Sequence, residues 1–186
     1  MKRISIRKPD ELSSEQLQIY NKILESRPSI AGPFEAWLQS PEFADKAQEV
    51  GQFVRFNTSL PPKLSELAIL TVARYWNCQN EWSIHEPFAV RAGLDRKIIN
   101  AINSSEKVEF SDDRESIIHN YTKHLLEKQF VEDSVYAETV ELFNEKTIVE
   151  LTGLIGYYSM VALTLNAFQI TVPKNVTPKL SNCPTF

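Results

Sequence analysis

Residues 66–93 read ELAILTVARYWNCQNEWSIHEPFAVRAG, and this stretch decides the fold. Its first half repeats apolar residues at spacings of three and four, the pattern of a helix with one buried face. At 100° per residue Glu66 falls on the same stripe as Ile69, Leu70 and Ala73. A break over residues 77–80 precedes a second helix over 81–92, with Gly93 at its C′ position. On that helix Glu81 and His85 are four apart and share a stripe with Ile84, Phe88 and Ala92. Two carboxylates, the Cys78 thiol and an imidazole are thus placed on or beside apolar faces.

Outward from this stretch the chain continues to read as helices. Ser13-x-x-Gln16 is a capping-box pattern that opens a helix over 13–26, with Leu17, Tyr20, Ile23 and Leu24 as its stripe. Residues 28–33 form a turn, 34–38 a short helix, and Pro41 begins a helix that runs to 56. Further helices are expected over 62–76, 95–102, 113–128, 133–144 and 147–168. The last is apolar on most faces, so it should lie at the centre of a core or between subunits. Gly153, Gly156, Ser159 and Ala162 would let another helix come close. Residues 1–12 read as an extended arm. The tail 171–186, with Pro173, Pro178 and Pro184, reads as extended or unstructured. The expectation is an all-α protein of roughly eight helices: one domain over 1–170, then the tail.

Composition narrows the function. The chain has 186 residues, 42% of them hydrophobic, and a net charge of -4. Such a charge provides no positive field for phosphate backbones, which argues against nucleic acid as a main partner. No apolar run reaches the roughly 18 to 20 residues that cross a bilayer, and the N-terminus lacks the apolar core of a signal peptide, so a cytoplasmic protein without a membrane partner is expected. Cys78 and Cys183 are too few for a disulfide scaffold. A bridge between them would need the tail to return to within about 7 Å.

The ionisable groups admit more than one reading. Glu66 either faces the apolar stripe or turns to water near the helix N-terminus, where a negative charge gains about 0.3 to 1 kcal/mol. Glu81 and His85 can act as an acid-base pair near neutral pH, or stand as a satisfied core pair. Glu81-x-x-x-His85 lacks the second histidine of the H-E-x-x-H zinc motif, so no metal is expected. Cys78 precedes a helix N-terminus, where amide donors favour a thiolate, yet it reads equally as a buried inert residue. With Glu81 three positions on, no local C-x-x-C disulfide can form. Pro87 removes a helical amide beside His85, and a bend there would open a pocket. His119 and His124 are five apart, point to different sides and are given no catalytic role.

The run Glu66, eleven residues, Cys78-x-x-Glu81, three residues, His85, then Ala92-Gly93-Leu94, resembles the core helical motif of the carboxymuconolactone decarboxylase family, which includes the alkylhydroperoxidase D (AhpD) type proteins. Residues 150–168, ELTGLIGYYSMVALTLNAF, are similar to the family's C-terminal helix. The resemblance implies an all-α AhpD-like fold assembled as a homo-oligomer, a trimer or hexamer, with the motif helices lining a pocket near a subunit interface. In the peroxidase branch two cysteines reduce hydroperoxides while a glutamate and a histidine relay protons. Residue by residue, Cys78 takes the first cysteine position, Glu66 the relay glutamate and His85 the relay histidine. Glu81 takes the second, attacking cysteine position, and a carboxylate cannot perform that thiol's chemistry. Glu81-Trp-Ser-Ile-His85 is instead similar to the decarboxylase branch, whose cofactor-free reaction removes carbon dioxide from a lactone acid.

The resemblance therefore implies an acid-base enzyme for a small organic acid or lactone, with no cofactor. His85 would be proton donor, Glu81 its orienting group and Glu66 a second relay, while Arg74 and Trp82 are candidates for holding the substrate. Two alternatives remain: a peroxidase using Cys78 with an external thiol, and a non-catalytic oligomeric binding protein that keeps the pair for structure.

Overall fold

The computed structural model describes residues 3–5, 8–25, 27, 29–173, 176–177 and 179–182. Cys183 lies outside the described residues, and with it any pairing to Cys78. Among the described residues there are nine α-helices and no strand. They are α1 (Ser14–Leu24), α2 (Phe34–Trp37), α3 (Pro41–Phe56), α4 (Pro62–Tyr75), α5 (Gln79–Arg91), α6 (Arg96–Ser104), α7 (Asp113–Glu127), α8 (Asp133–Leu142) and α9 (Glu145–Ala167). The all-α expectation holds, with the short α2 included in the count.

The start signals act as their chemistry requires. Ser13 Oγ accepts from the Gln16 amide at 3.2 Å while Gln16 Oε1 accepts from the Ser13 amide at 3.0 Å, closing the capping box. Asp95, Asp112 and Asn144 cap α6, α7 and α9 through their side-chain oxygens. Gly93 ends α5 at φ 86, in the left-handed region that glycine enters without a Cβ clash. In the N-terminal arm, Pro9–Glu11 forms a 3-10 turn, held by the Lys8 amide donating to Glu11 Oε2 at 2.9 Å.

Helix α4 is the centre of the fold, packed against α5, α6, α7 and α9. Every residue from 64 to 73 is buried, so the helix has no face for water and Glu66 cannot turn outward. Helix α9 crosses the same core with Ile148, Leu151, Leu154, Ile155, Tyr158, Val161 and Leu165 buried. Its start is anchored by Glu150, whose Oε2 accepts from the Ser59 amide and hydroxyl, both at 2.6 Å.

One expectation for α9 is corrected. Contrary to the sequence reading, α9 is long and apolar enough by length and composition to cross a bilayer; 56% of its apolar window is buried inside this fold, as a core helix requires. It also keeps an outward side. Val149 is 70% exposed and Leu163 47%, and beyond Gly153 and Gly156 there is open space. A helix laid across one side of a core can bury only the stripe that meets its neighbours.

The described part of the tail has no helix, in keeping with its prolines, but it packs back on the body rather than lying loose. Leu180 is buried. Asn80 donates to the Thr171 carbonyl at 2.7 Å, and Asn103 donates to the Lys179 carbonyl and accepts from the Ser181 amide, both at 2.8 Å. Lys179 pairs with Glu86 at 2.7 Å. Asparagine side chains here replace the backbone partners that an extended segment lacks.

Candidate active site

Helices α4 and α5 are joined by a tight turn. Asn77 adopts φ 49, and the Cys78 amide donates to the Ala73 carbonyl at 2.8 Å. Asparagine tolerates the left-handed region better than most residues, so the chain reverses here and lays α5 back on α4. That reversal carries His85 to a residue 19 positions away in sequence.

His85 Nδ1 lies 2.8 Å from Glu66 Oε2, a buried contact. A carboxylate only accepts, so Nδ1–H donates to Glu66, which orients the ring and leaves Nε2 for chemistry. Tyr158 of α9 meets the imidazole edge to face, with centroids 5.0 Å apart at 87°, and Phe88 lies at 6.0 Å. Tyr157 packs on Tyr158 at 5.5 Å. Burial raises the Tyr157 phenol to about 12 and pushes Tyr158 higher still, so both keep their protons as donors.

Glu81 does not do what its helical spacing suggests. It is one turn before His85, but the imidazole hydrogen bonds across to Glu66, because packing α5 on α4 presents that carboxylate to Nδ1. Both Glu81 oxygens are buried without a hydrogen-bond partner, and the residue is 2% exposed. Burial pushes its carboxyl well above the usual carboxylate range, so it holds a proton. The site thus contains a Glu66–His85 pair and, beside it, a neutral carboxylic acid.

The remaining candidates separate. Cys78 is fully buried at the N-cap of α5, and its sulfur makes no capping hydrogen bond. Trp82 is also fully buried, its indole N–H without a partner. Arg74 is not brought to the site. It lies eight residues beyond Glu66 on α4, about 12 Å along the axis, and its guanidinium donates to the carbonyls of Asn103 at 3.0 Å and Ser181 at 2.6 Å and to Asn77 Oδ1. It lines a different cleft of about 340 Å³ with Thr71, Tyr75, His119 and Lys123. Among the described residues no three His, Cys, Asp or Glu side chains converge as metal ligands. Pro87 lies inside α5, which continues past it to Arg91.

Sequence reasoning passed over three residues. Gly51 of α3 faces Tyr157 so closely that a Cβ would lie 2.1 Å from the phenol oxygen. Tyr158 lies inside the continuous apolar run of α9, where nothing sets it apart, and Arg55 carries no periodic signal. The aromatic neighbours Phe53 and Phe56 around Arg55 were the one available hint.

The helical fold is AhpD-like. A peroxidase-related protein from Ralstonia eutropha with an AhpD core superposes with a TM-score of 0.74 at 9% identity, covering 93% of each chain. A protein of unknown function from Agrobacterium tumefaciens, described as an AhpD-type antioxidant defence protein, gives 0.67 at 16% identity over 74% of this chain and 95% of that one. The debrominase Bmp8, in a cysteine-to-alanine variant bound to 2,3,4-tribromopyrrole, gives 0.73 at 9% identity over 94% and 95%. No curated protein matches in sequence. Residues 41–107 match the model of the Carboxymuconolactone decarboxylase family, and within that match Cys78 is followed three positions on by Glu81, so no C-x-x-C pair is present.

Proposed function

We propose that the protein is a cofactor-free acid-base enzyme, decarboxylase-like, acting on a small organic acid or lactone. One observation carries this reading: the 2.8 Å Glu66–His85 contact stands beside a protonated, unpartnered Glu81 at the position of the missing second cysteine. A buried polar group without a partner costs about 1 to 3 kcal/mol. A purely structural role gives no reason to keep that cost, whereas a neutral acid in an apolar site is a standing proton source.

In such a reaction the bond between the substrate's α-carbon and its carboxylate breaks and carbon dioxide leaves. The electron pair passes through the double bond to the lactone carbonyl as a dienolate. Protonated His85, held by Glu66, returns a proton to carbon, and Glu81 reprotonates the ring or stabilises the developing oxyanion as a donor. Cys78 takes no part.

The test is proton exchange and carbon dioxide release, followed by NMR in heavy water, on a panel of β,γ-unsaturated carboxylic acids and lactone acids. Turnover should be lost in Glu81→Gln and His85→Ala and kept in Cys78→Ser. The opposite pattern, with rapid sulfenic-acid trapping at Cys78 under peroxide, would replace this reading with a one-cysteine peroxidase. A non-catalytic binding role is favoured by one fact, the near-complete burial of Glu66, Glu81 and His85. It becomes the better reading if the whole panel is inert.

The reading includes homo-oligomerisation, with small molecules as the other partners and the cytoplasm as the compartment. It is supported by the outward apolar row on α9 and by Phe43, Val50, Phe53 and Phe56 exposed on α3. Sedimentation velocity should show a multimer that Gly156→Glu reduces in size, since that change meets open space within the monomer.

A further inference from the structure

We infer that Arg55, flanked by Arg27 and Arg91, is the anion-receiving group of the Glu66–His85 site, and that its ligand is a small carboxylate carrying a flat, unsaturated or aromatic ring. This rests on the acid-base reading above and assigns the substrate group that Arg74 was expected to hold.

Arg55 is half-buried near the C-terminal end of α3. Its guanidinium carbon sits 5.0 Å from the Phe88 ring centroid, and that ring is 6.0 Å from the His85 ring. Arg91 lies over the same ring at 4.4 Å. Two guanidinium groups on one phenyl ring concentrate positive charge beside the imidazole, in a chain with 24 acidic and 20 basic residues.

That neither guanidinium is in an ion pair among the described residues is not for want of supply. Lys22, Lys63, Lys123, Lys128, Lys146 and Lys179 each hold a carboxylate. Among the described residues neither Arg55 nor Arg91 has one within ion-pair distance; Arg55 rests on the rings of Phe56 at 5.2 Å and Phe88. A guanidinium stacked on rings keeps its N–H edge open, and that edge is the fork that binds a carboxylate through two parallel hydrogen bonds.

The field of Arg55 reaches the site. Its charge opposes the upward shift of the Tyr158 phenol, the ring that meets His85 edge to face. Arg27, over Phe34 at 4.6 Å, is lowered by burial first and then by the like charge of Arg55. An anion at Arg55 is favoured by the like charge of Arg27 nearby. The surrounding walls explain the shape of the ligand: Phe88 is 37% exposed and Phe56 61%, flat apolar surfaces flanking the charge.

The test reads binding, without turnover. Benzoate and its neutral isostere benzamide are titrated into the full chain by calorimetry, with His85 imidazole resonances followed by NMR. Benzoate should shift the His85 signals, and Arg55→Gln should weaken it about tenfold or more, as loss of a charge-assisted hydrogen bond predicts. Arg55→Lys should retain part of the affinity with a steeper salt dependence. Benzamide should be indifferent to the Arg55 changes. Arg114→Gln is the matched control, a guanidinium over the Phe143 ring at 4.8 Å on a different helix, and should bind benzoate as the parent does.

The proposal is overturned if the parent does not bind benzoate, if His85 does not respond, or if Arg55→Gln binds unchanged while retaining its helical circular dichroism. It is overturned equally if Arg74→Gln weakens binding and Arg55→Gln does not. If benzoate binding depends on Arg55 but exchange activity survives Glu81→Gln and His85→Ala, the carboxylate site stands and the acid-base reading falls.

Discussion

Replacing Glu81 by glutamine should stabilise the protein progressively as pH rises. Below the ordinary glutamate value of 4.5 the carboxyl is protonated in both folded and unfolded chains and has no linkage effect. Above it the unfolded chain releases the proton, while the folded chain, which buries both oxygens without a partner, keeps it. The unfolded state then binds fewer protons, so stability falls with increasing pH, at up to about 1.4 kcal/mol per unit, until the folded carboxyl itself ionises. Glutamine cannot ionise and escapes that loss. Its amide introduces a buried donor with a cost of about 1 to 3 kcal/mol, but that cost does not vary with pH and cancels when two pH values are compared. Between about pH 5 and pH 7 the stability of Glu81→Gln relative to the parent should therefore improve by roughly 2 to 3 kcal/mol. Urea unfolding followed by circular dichroism at several pH values measures it. A difference that stays flat across that range would refute the reasoning, since it would mean that Glu81 is ionised in the native protein. Loss of a protonated-carboxyl stretch from the infrared spectrum of the variant is the independent check.

Gly51→Ala should destabilise the fold by about 1 to 3 kcal/mol in thermal or urea melts, because the new Cβ would lie 2.1 Å from the Tyr157 oxygen and 2.5 Å from its ring; an unchanged melting temperature would show that α3 and α9 are looser than this packing. Cys78, fully buried, should react with a thiol reagent only at the rate of unfolding; fast modification of the native protein, assigned to Cys78 by peptide mapping, would contradict its placement. His119 bonds Thr71 Oγ1 at 3.0 Å and is lowered from 6.5 to about 4, first by burial and then by Lys123. Between those values the unfolded chain binds the proton and the folded chain does not, so this residue withdraws stability as pH falls through 6.5 toward 4. His119→Gln should flatten the acid side of the stability profile, and a profile unchanged by the substitution would place the imidazole in water.

The helices were legible because their signals are local. Ser13 with Gln16, Pro41 and Gly93 each settle a boundary through their own backbone chemistry, and the observed helices begin or end at or beside them. The run Glu66, Cys78, Glu81, His85 likewise marked the site, since carboxylates and an imidazole on apolar stripes are rarely left there without use. What spacing could not supply was which group meets which. On one helix Glu81 and His85 are equally able to pair or to pass each other, and a contact between residues 66 and 85 depends on how α5 folds back across α4.

The sequence by itself therefore determined an all-α chain and the ionisable groups gathered at its centre, because helix propensity, capping and periodicity act over a few residues. Only the tertiary structure decided that His85 bonds Glu66, that Glu81 is left neutral and alone, that Arg74 is turned to the tail and that Arg55 stands near the imidazole. Those relations are set by the packing of α3, α4, α5 and α9, and long-range packing leaves no mark at any fixed spacing in the chain.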